Sequence, residues 1–192
     1  TVSYSAAWWD WERWQRELDF MAMNSINMPL SVVGLEAVWY NTLLKHKFTD
    51  EEARRFLAGP GHFAWQWMQN LQSYGGPLPK SWIDKHIVLG KQIIDRELEL
   101  GMQPIQQGFS WCGFTGAAQL DPTDSLFTVI GRDFLEEEKK LYGAHGVYAA
   151  DPFHESQPPV DTPEYLRAVG NAIHKLFNDF DPNSIWAMQA WS

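Results

Sequence analysis

Three polar side chains follow a short apolar segment late in the sequence. Asp151, His154 and Glu155 lie in YAADPFHESQPP, between an apolar run and a pair of prolines. A carboxylate next to an apolar residue such as Phe153, and close to a histidine and a second carboxylate, has surroundings that can tune a general acid or base. Glu155 is therefore a candidate proton donor, and Asp151 a candidate for orienting a substrate hydroxyl. The alternatives are a solvated loop carboxylate for Glu155 and a loop cap for Asp151.

The other potentially reactive residues do not favour metal or thiol chemistry. His154 is followed by ESQP and lacks the second histidine that an HExxH zinc site requires. Cys112 is the single cysteine, so it excludes an intramolecular disulfide, and no base stands at a useful spacing from it. The remaining histidines, such as His46 and His86, are expected to be solvated or hydrogen-bonded. No metal and no cofactor is therefore expected.

The composition is acidic and rich in aromatic residues. A formal net charge of -9 opposes binding to nucleic acid, and a hydrophobic share of 45% suffices for a core. Eleven tryptophans exceed what core packing usually takes, and sugar rings are one partner for exposed indoles. Tryptophans in predicted helices, among them Trp65, are expected in the core, whereas Trp9, Trp111 and Trp191 are candidates for ring stacking. The sequence contains no recognisable membrane span or signal peptide.

Apolar periodicity predicts strands that alternate with helices. Strands are predicted at residues 1–9, 26–34, 103–109, 146–151 and 184–192. Such alternation favours an α/β protein with a parallel sheet, either open or closed into a barrel. No glycine-rich phosphate loop follows any of these strands. In a barrel, the aromatic and acidic residues at the strand ends would build the active site.

Local signals predict where several helices begin. Thr49 and Glu52 form a capping-box pattern before a helix over residues 50–57. Asp121 and Thr162 are each followed by proline, which predicts two further helix starts. The acidic run at residues 136–138 is expected to be a solvated helix face.

Several long segments match one known family in a single order. They are SYSAAWWDWERW, LDFMAMNSINMPL, GLEAVWYNTLL, GPGHFAWQWMQNLQSYGGPLPKSWI, LDPTDSLFTVIG, YAADPFHESQPP and IWAMQAW. Together they resemble the α-N-acetylglucosaminidases of glycoside hydrolase family 89. The resemblance implies a (β/α)8 TIM-type barrel, with about the first five strands in one partial catalytic domain over residues 1–192. It also implies retaining hydrolysis of terminal α-linked N-acetylglucosamine, as in heparan sulfate or mucin-type glycans.

The resemblance assigns roles to individual residues. Glu155 is expected to be the general acid/base, and Asp151 to contact sugar hydroxyls. The other residues expected at the sugar pocket are Tyr4, Tyr74, His154 and Trp191. Tyr74 stands where other members can have Trp, and His154 where lysosomal members have Asn.

Two departures from the family pattern limit what these residues are expected to do alone. A retaining mechanism needs a second carboxylate about 5 Å from the first, and in the family that Glu belongs to a later strand than any present here. QQGFSWCGF joins two family segments directly, so the barrel is expected to be shortened near residue 110. We therefore expect no turnover by the 192 residues alone. A non-catalytic sugar-binding protein and a truncated product without a stable fold are the alternatives.

The expected partner is a glycan that ends in α-linked N-acetylglucosamine. The net charge of -9 fits a neutral or mucin-type glycan slightly better than a polyanion. The resemblance implies a secreted, periplasmic or lysosomal protein, although no targeting segment is present to support any of these.

Overall fold

The computed structural model contains four parallel strands that form one sheet, with helices in the connections. The structure describes residues 2–67, 74–109, 120–153 and 157–188. Within these ranges the strands are β1 (Leu30–Ser31), β2 (Ile105–Gln107), β3 (Val147–Ala149) and β4 (Ile185–Ala187). The helices are α1 (Trp11–Met23), α2 (Leu35–Lys45), α3 (Asp50–Phe56), α4 (Phe63–Trp67), α5 (Lys80–Glu99), α6 (Ser125–Tyr142) and α7 (Pro163–Phe180). A 3₁₀ turn at Pro60–His62 leads into α4.

The strands pair in the order in which they occur in the chain. Leu30 pairs with Ile105 between β1 and β2, and Tyr148 pairs with Trp186 between β3 and β4, each in parallel. β2 and β3 pair in the same way. Parallel neighbours need crossover connections, and helices supply them here. β1 and β4 each have one strand neighbour among the described residues, so the sheet is open in this part of the chain.

The strand predicted at residues 1–9 is wrong. Residues 2–8 form a series of turns, so the described ranges contain four strands rather than five. Ala6 is nevertheless buried, because it packs in one apolar cluster with Trp14 and Leu18 of α1 and with Leu89 of α5. Burial against helices therefore produced the apolar pattern that resembled a strand. β1 is also shorter than the predicted strand at 26–34.

Side-chain caps begin the helices close to where the local signals predicted them. The Thr49 hydroxyl accepts a hydrogen bond from the backbone N–H of Glu52, and the Glu52 carboxylate accepts one from the backbone N–H of Thr49. This completes the predicted capping box. The predicted cap of α7 by Thr162 is also present. Asp124, and not the predicted Asp121, caps α6, because Asp121 closes the turn that precedes the helix.

Aromatic side chains dominate the largest core cluster. The almost fully buried rings are those of Phe109, Phe127, Phe134, Tyr148 and Phe177. Burying each such side chain contributes about 1.5–3 kcal/mol to folding. A Cβ atom on Gly108 would lie 2.4 Å from the Phe177 ring, so the approach of α7 to the end of β2 requires glycine there.

The acidic run on α6 is buried at two of its three positions, so the predicted solvated face is wrong. Glu136 is exposed, but Glu137 and Glu138 are almost fully buried. Glu137 faces α2, where Nδ2 of Asn41 donates a hydrogen bond to its Oε2 at 3.1 Å. Oε1 of Glu137 lies 3.0 Å from Nζ of Lys45, which offsets the cost of burying the carboxylate. Oε2 of Glu138 is buried without a hydrogen-bond partner in the described part of the chain, and burial raises the pKa of this carboxyl well above its usual value.

The connectivity places three loop segments on one side of the sheet, near the carboxyl ends of the strands. α5, α6 and α7 each lead into a strand and return the chain between parallel strands, so their first turns lie near the edge where strands end. α1 runs alongside α5, with Asp19 paired to Arg96. The segments at residues 2–10, 74–79 and 151–153 therefore lie on the side of the carboxyl ends of the strands.

Candidate active site

Asp151 lies immediately beyond the end of β3. The backbone N–H of Ala150 donates to the carbonyl of Ala187 at 3.2 Å, and the Ala150 carbonyl accepts from Nε1 of Trp186 at 2.8 Å. These bonds to β4 fix the backbone just before Asp151, which is itself half-buried. A half-buried carboxylate on a fixed strand end is suited to accepting hydrogen bonds from ligand hydroxyls, the role predicted for Asp151.

Three of the predicted site residues lie outside the described residues. They are His154, Glu155 and Trp191. Trp111, Cys112 and the join near residue 110 lie outside them as well. In sequence, Glu155 is four residues beyond Asp151. Its role as acid/base therefore stays a prediction from the resemblance.

Tyr4 and Tyr74 are the two predicted pocket residues whose rings the structure describes. They are 70 residues apart in sequence but are connected in space through His62 and Trp65. The Tyr4 and Trp65 rings are 5.0 Å apart at 74°, and the His62 and Tyr74 rings are 4.5 Å apart at 62°. The His62 and Trp65 rings are 5.9 Å apart. We call these four side chains the aromatic cluster; Tyr4 and Tyr74 are its exposed ends, with 75% and 58% of their surface accessible.

Two hydrogen bonds with backbone N–H donors join the three chain segments that carry the aromatic cluster. The backbone N–H of Ala64 donates to Oγ of Ser3 at 2.8 Å, which joins the segment of Tyr4 to α4. The backbone N–H of Gly59 donates to the carbonyl of Tyr74 at 2.7 Å, which joins the segment of Tyr74 to the turn before α4. Gly75 has a φ of 79° and packs against Gly59 without an intervening side chain. The short α4 segment is thus the common support of both tyrosines.

His62 and Trp65 were not among the predicted site residues. Trp65 was expected in the core because a tryptophan in a predicted helix usually packs there, and no special role was predicted for His62. The available signal was GPGHFAW, in which a Gly/Pro turn precedes closely spaced aromatic residues. That pattern does not indicate which rings face outward, so only the packing of α4 reveals the cluster.

A second group of polar side chains lies on the side of the sheet where the strands have their carboxyl ends. Glu36, in the first turn of α2, is almost fully buried, and its Oε1 lies 2.6 Å from Nδ1 of His86. Nε1 of Trp82 donates to the same oxygen at 3.0 Å. Nδ1 of His86 thus lies close to a carboxylate, and Nε2 of His46 likewise lies 2.9 Å from a carboxylate oxygen of Asp133, but among the described residues neither nitrogen makes the hydrogen bond that was expected. Glu36 links α2 to α5 near the candidate active site.

A separate groove of about 360 Å³ lies between α1 and α5. Its lining includes Trp8, Trp11 and Trp82. The guanidinium of Arg13 lies 4.1 Å from the centre of the Trp9 ring, so one face of this predicted stacking platform is covered. The residues that line this groove do not include Asp151, Tyr4 or Tyr74.

In residues 2–67, 74–109, 120–153 and 157–188, no group of three or more His, Cys, Asp or Glu side chains is arranged to hold a metal ion. No described helix combines the length and the apolar character that crossing a membrane requires.

Comparison with known proteins shows similarity to one family over the whole chain. The family model described as "Alpha-N-acetylglucosaminidase (NAGLU) tim-barrel domain" matches residues 1–111 and 110–192. The two matched parts meet where the shortening was predicted. Human alpha-N-acetylglucosaminidase is 36% identical over 216 residues, an alignment longer than the 192-residue chain. It covers 100% of this chain but 29% of the human protein.

Solved structures show the same relationship. A family 89 glycoside hydrolase from Clostridium perfringens, solved in complex with PUGNAc, matches this chain with a TM-score of 0.91 and 30% sequence identity. The match covers 100% of this chain and 25% of the Clostridium perfringens chain. A variant of the Clostridium perfringens enzyme with two glutamates replaced by glutamine was solved with its substrate GlcNAc-alpha-1,4-galactose. It matches with a TM-score of 0.91 and 30% identity, over 100% of this chain and 24% of that one. This chain therefore spans less than a third of the length of its relatives, and its open sheet corresponds to part of a barrel domain.

Proposed function

Because the chain belongs to the alpha-N-acetylglucosaminidase (NAGLU) tim-barrel domain family, we propose that it carries the acid/base half of the active site of a retaining exo-glycosidase. The proposed reaction removes terminal α-linked N-acetylglucosamine from glycans. The observation that carries this proposal is the match of the family model across residues 1–111 and 110–192. The 36% identity to the human alpha-N-acetylglucosaminidase supports it.

Glu155 is the proposed proton donor. In a retaining mechanism it protonates the glycosidic oxygen as the bond to the leaving group breaks, and it then removes a proton from the water that releases the sugar. A second carboxylate must attack the anomeric carbon, and we assign that role to a Glu on a later strand of the complete barrel. The relative in which two glutamates are replaced by glutamine holds its substrate, as expected when both carboxylates are catalytic.

The sugar pocket is proposed to use one carboxylate and several aromatic rings. Asp151, fixed at the end of β3, would accept hydrogen bonds from sugar hydroxyls. Tyr4 and Tyr74, exposed on the same side of the sheet, would pack against the sugar ring. His154 and Trp191 complete the proposed set, on the resemblance alone.

The preferred substrate is proposed to be a neutral or mucin-type glycan. A relative binds GlcNAc-alpha-1,4-galactose, which is a neutral disaccharide. The net charge of -9 disfavours a sulfated polyanion such as heparan sulfate, unless local positive charge opposes it. We also propose a secreted, periplasmic or lysosomal location, on the family resemblance.

The test compares leaving groups in the complete gene product that contains this chain. Glu155→Gln is expected to lower kcat/KM on GlcNAc-α-1,4-galactose by roughly 10²–10⁴-fold, because the galactose hydroxyl leaves only with a proton. The phenol of an acidic aryl α-N-acetylglucosaminide leaves with little protonation, so the loss of kcat/KM on that substrate should be much smaller, since kcat/KM reports the cleavage step and not the later attack of water. Glu164→Gln, which removes an exposed carboxylate at the start of α7, is the matched control and should keep both activities.

Three results would contradict the proposal. If the wild-type gene product releases no N-acetylglucosamine from either substrate, the glycosidase function is refuted. Equal losses of kcat/KM on the two substrates would show that Glu155 is not the proton donor. Release of N-acetylglucosamine by the 192 residues alone, abolished by Glu155→Gln, would show that no later strand is needed. Sugar binding without turnover by the complete product would instead favour a non-catalytic sugar-binding protein.

A further inference from the structure

We propose that His62 and Trp65 are positioning residues, which hold Tyr4 and Tyr74 at the angle required to bind the terminal sugar. The inference rests on the proposed function, since it gives a role to residues behind the pocket. Neither His62 nor Trp65 is proposed to touch the substrate. Their contribution is to the binding of the sugar, with no part in the chemical step.

The packing of α4 separates these two side chains from the core. Phe63 and Gln66 of the same segment are almost fully buried. The side-chain amide of Gln66 donates to the carbonyl of Phe56 at 2.7 Å and accepts from the backbone N–H of Ala58 at 2.7 Å. This anchors the inward face of α4. His62 and Trp65 are spaced three residues apart on another face, and both are half-buried.

The ring geometry shows what the outward face supports. Trp65 meets Tyr4 at 74°, and His62 meets Tyr74 at 62°, so each supporting ring contacts a tyrosine edge-on or nearly so. Such pairs restrict the rotation of both rings and contribute beyond the burial of area. Each tyrosine remains more than half exposed. A tyrosine held from one side and open on the other is prearranged to pack against a ligand.

This arrangement predicts a specific kinetic signature. Removing a supporting ring frees the tyrosine to adopt rotamers that do not face the sugar, and binding must then restore the productive one. The loss affects ground state and transition state equally, so KM rises while kcat is retained. One aromatic pair corresponds to about a two- to tenfold rise in KM.

The experiment measures kcat and KM of the complete gene product on an aryl α-N-acetylglucosaminide. His62→Ala and Trp65→Ala are each expected to raise KM about two- to tenfold with kcat within about twofold of wild type. The conservative variants His62→Phe and Trp65→Phe keep a ring and should restore most of the lost affinity. Inhibition by N-acetylglucosamine should weaken by the same factor as KM rises.

Phe180→Ala is the matched control. The Phe180 ring lies 6.0 Å from that of Tyr148 at 74°, and Phe180 is the last residue of α7, which leads into the start of β4. Removing it deletes a comparable ring pair at the end of the strands opposite to the candidate active site, so KM should not change.

A purely structural role would give a different result. Loss of folded protein lowers the apparent kcat and leaves KM unchanged, because the remaining folded molecules bind normally. That outcome for His62→Ala and Trp65→Ala, or the absence of any change, would overturn the inference. The inference would also be overturned if His62→Phe and Trp65→Phe had a KM as high as that of the alanine variants. These outcomes all require an active wild-type enzyme, so they are distinct from failure of the proposed function, in which wild type itself releases no sugar.

Discussion

The buried carboxyl of Glu97 should make the stability of this protein depend on pH. Glu97 lies on α5 and is 2% exposed, and its Oε2 accepts a hydrogen bond of 2.6 Å from the hydroxyl of Ser31 on β1. The neighbouring Arg96 does not compensate the charge of Glu97, because the Arg96 guanidinium pairs with Asp19 and Glu99. Burial therefore raises the pKa of Glu97 from 4.5 to about 7, and the Ser31 hydrogen bond opposes part of that rise.

The direction and size of the effect follow from these two pKa values. Because the pKa is higher in the folded protein, the folded state is favoured when Glu97 is protonated. That stabilisation is complete below pH 4.5 and is lost as the pH rises through about 7. With about 1.36 kcal/mol per pKa unit, ionisation of Glu97 should lower the free energy of unfolding by about 2 kcal/mol between pH 5 and pH 7.

Glu97→Gln isolates this contribution. The amide oxygen can still accept the hydrogen bond from Ser31, but the side chain no longer ionises. Urea unfolding, followed by tryptophan fluorescence, gives the free energy of unfolding of both proteins at pH 5 and pH 7. We expect the decrease from pH 5 to pH 7 to be about 2 kcal/mol larger in wild type than in the variant.

The control is Glu99→Gln, an exposed carboxylate on the same helix whose loss should leave the pH dependence as in wild type. If wild type and Glu97→Gln show the same decrease from pH 5 to pH 7, burial does not raise the pKa of Glu97 and the reasoning is refuted. An acid-stable fold would suit an enzyme of an acidic compartment, which is one of the proposed locations.

Two further substitutions test the packing that builds the sheet edge. Gly108→Ala places a Cβ 2.4 Å from the Phe177 ring and 3.0 Å from the carbonyl of Ala149. The variant should therefore lower the free energy of unfolding, measured by urea titration, by about 1–3 kcal/mol. An unchanged urea midpoint would show that α7 moves away from the new methyl group at no cost. Tyr142→Phe removes the buried hydrogen bond of 2.9 Å to the Gly34 carbonyl and should cost about 1–3 kcal/mol by the same measurement. A loss below about 0.5 kcal/mol would indicate that water replaces the hydroxyl there.

Two of the three predicted helix caps are correct because neighbouring residues produce them, whereas Asp124 caps α6 in place of the predicted Asp121. The Thr49–Glu52 capping box and the Thr162 cap use side chains within one helical turn. The parallel order of the four strands also follows from alternating helix and strand segments. The predictions failed where distant residues decide burial. Glu137 is buried because α2 covers that face of α6, and Ala6 because α1 and α5 cover it.

The candidate active site divides along the same line. The position of Asp151 immediately after β3 follows from the local pattern of strand and loop, and the role of Glu155 rests on the similarity of whole segments to the family. The contact of Tyr4 and Tyr74 through α4 could not be predicted from spacing, since no periodicity connects residues 70 positions apart.

The sequence by itself determined most of the segments that form helices and strands, the order of the four strands, and the family to which the chain belongs. Short-range hydrogen bonding and hydrophobic periodicity encode the secondary structure and the strand order. Long segments such as GPGHFAWQWMQNLQSYGGPLPKSWI, which match the family in one order, identify the family. Only the tertiary structure decided which faces are buried and which rings meet. Burial and ring contact depend on what packs against a residue, and for His62 and Trp65 those partners come from segments far away in the chain.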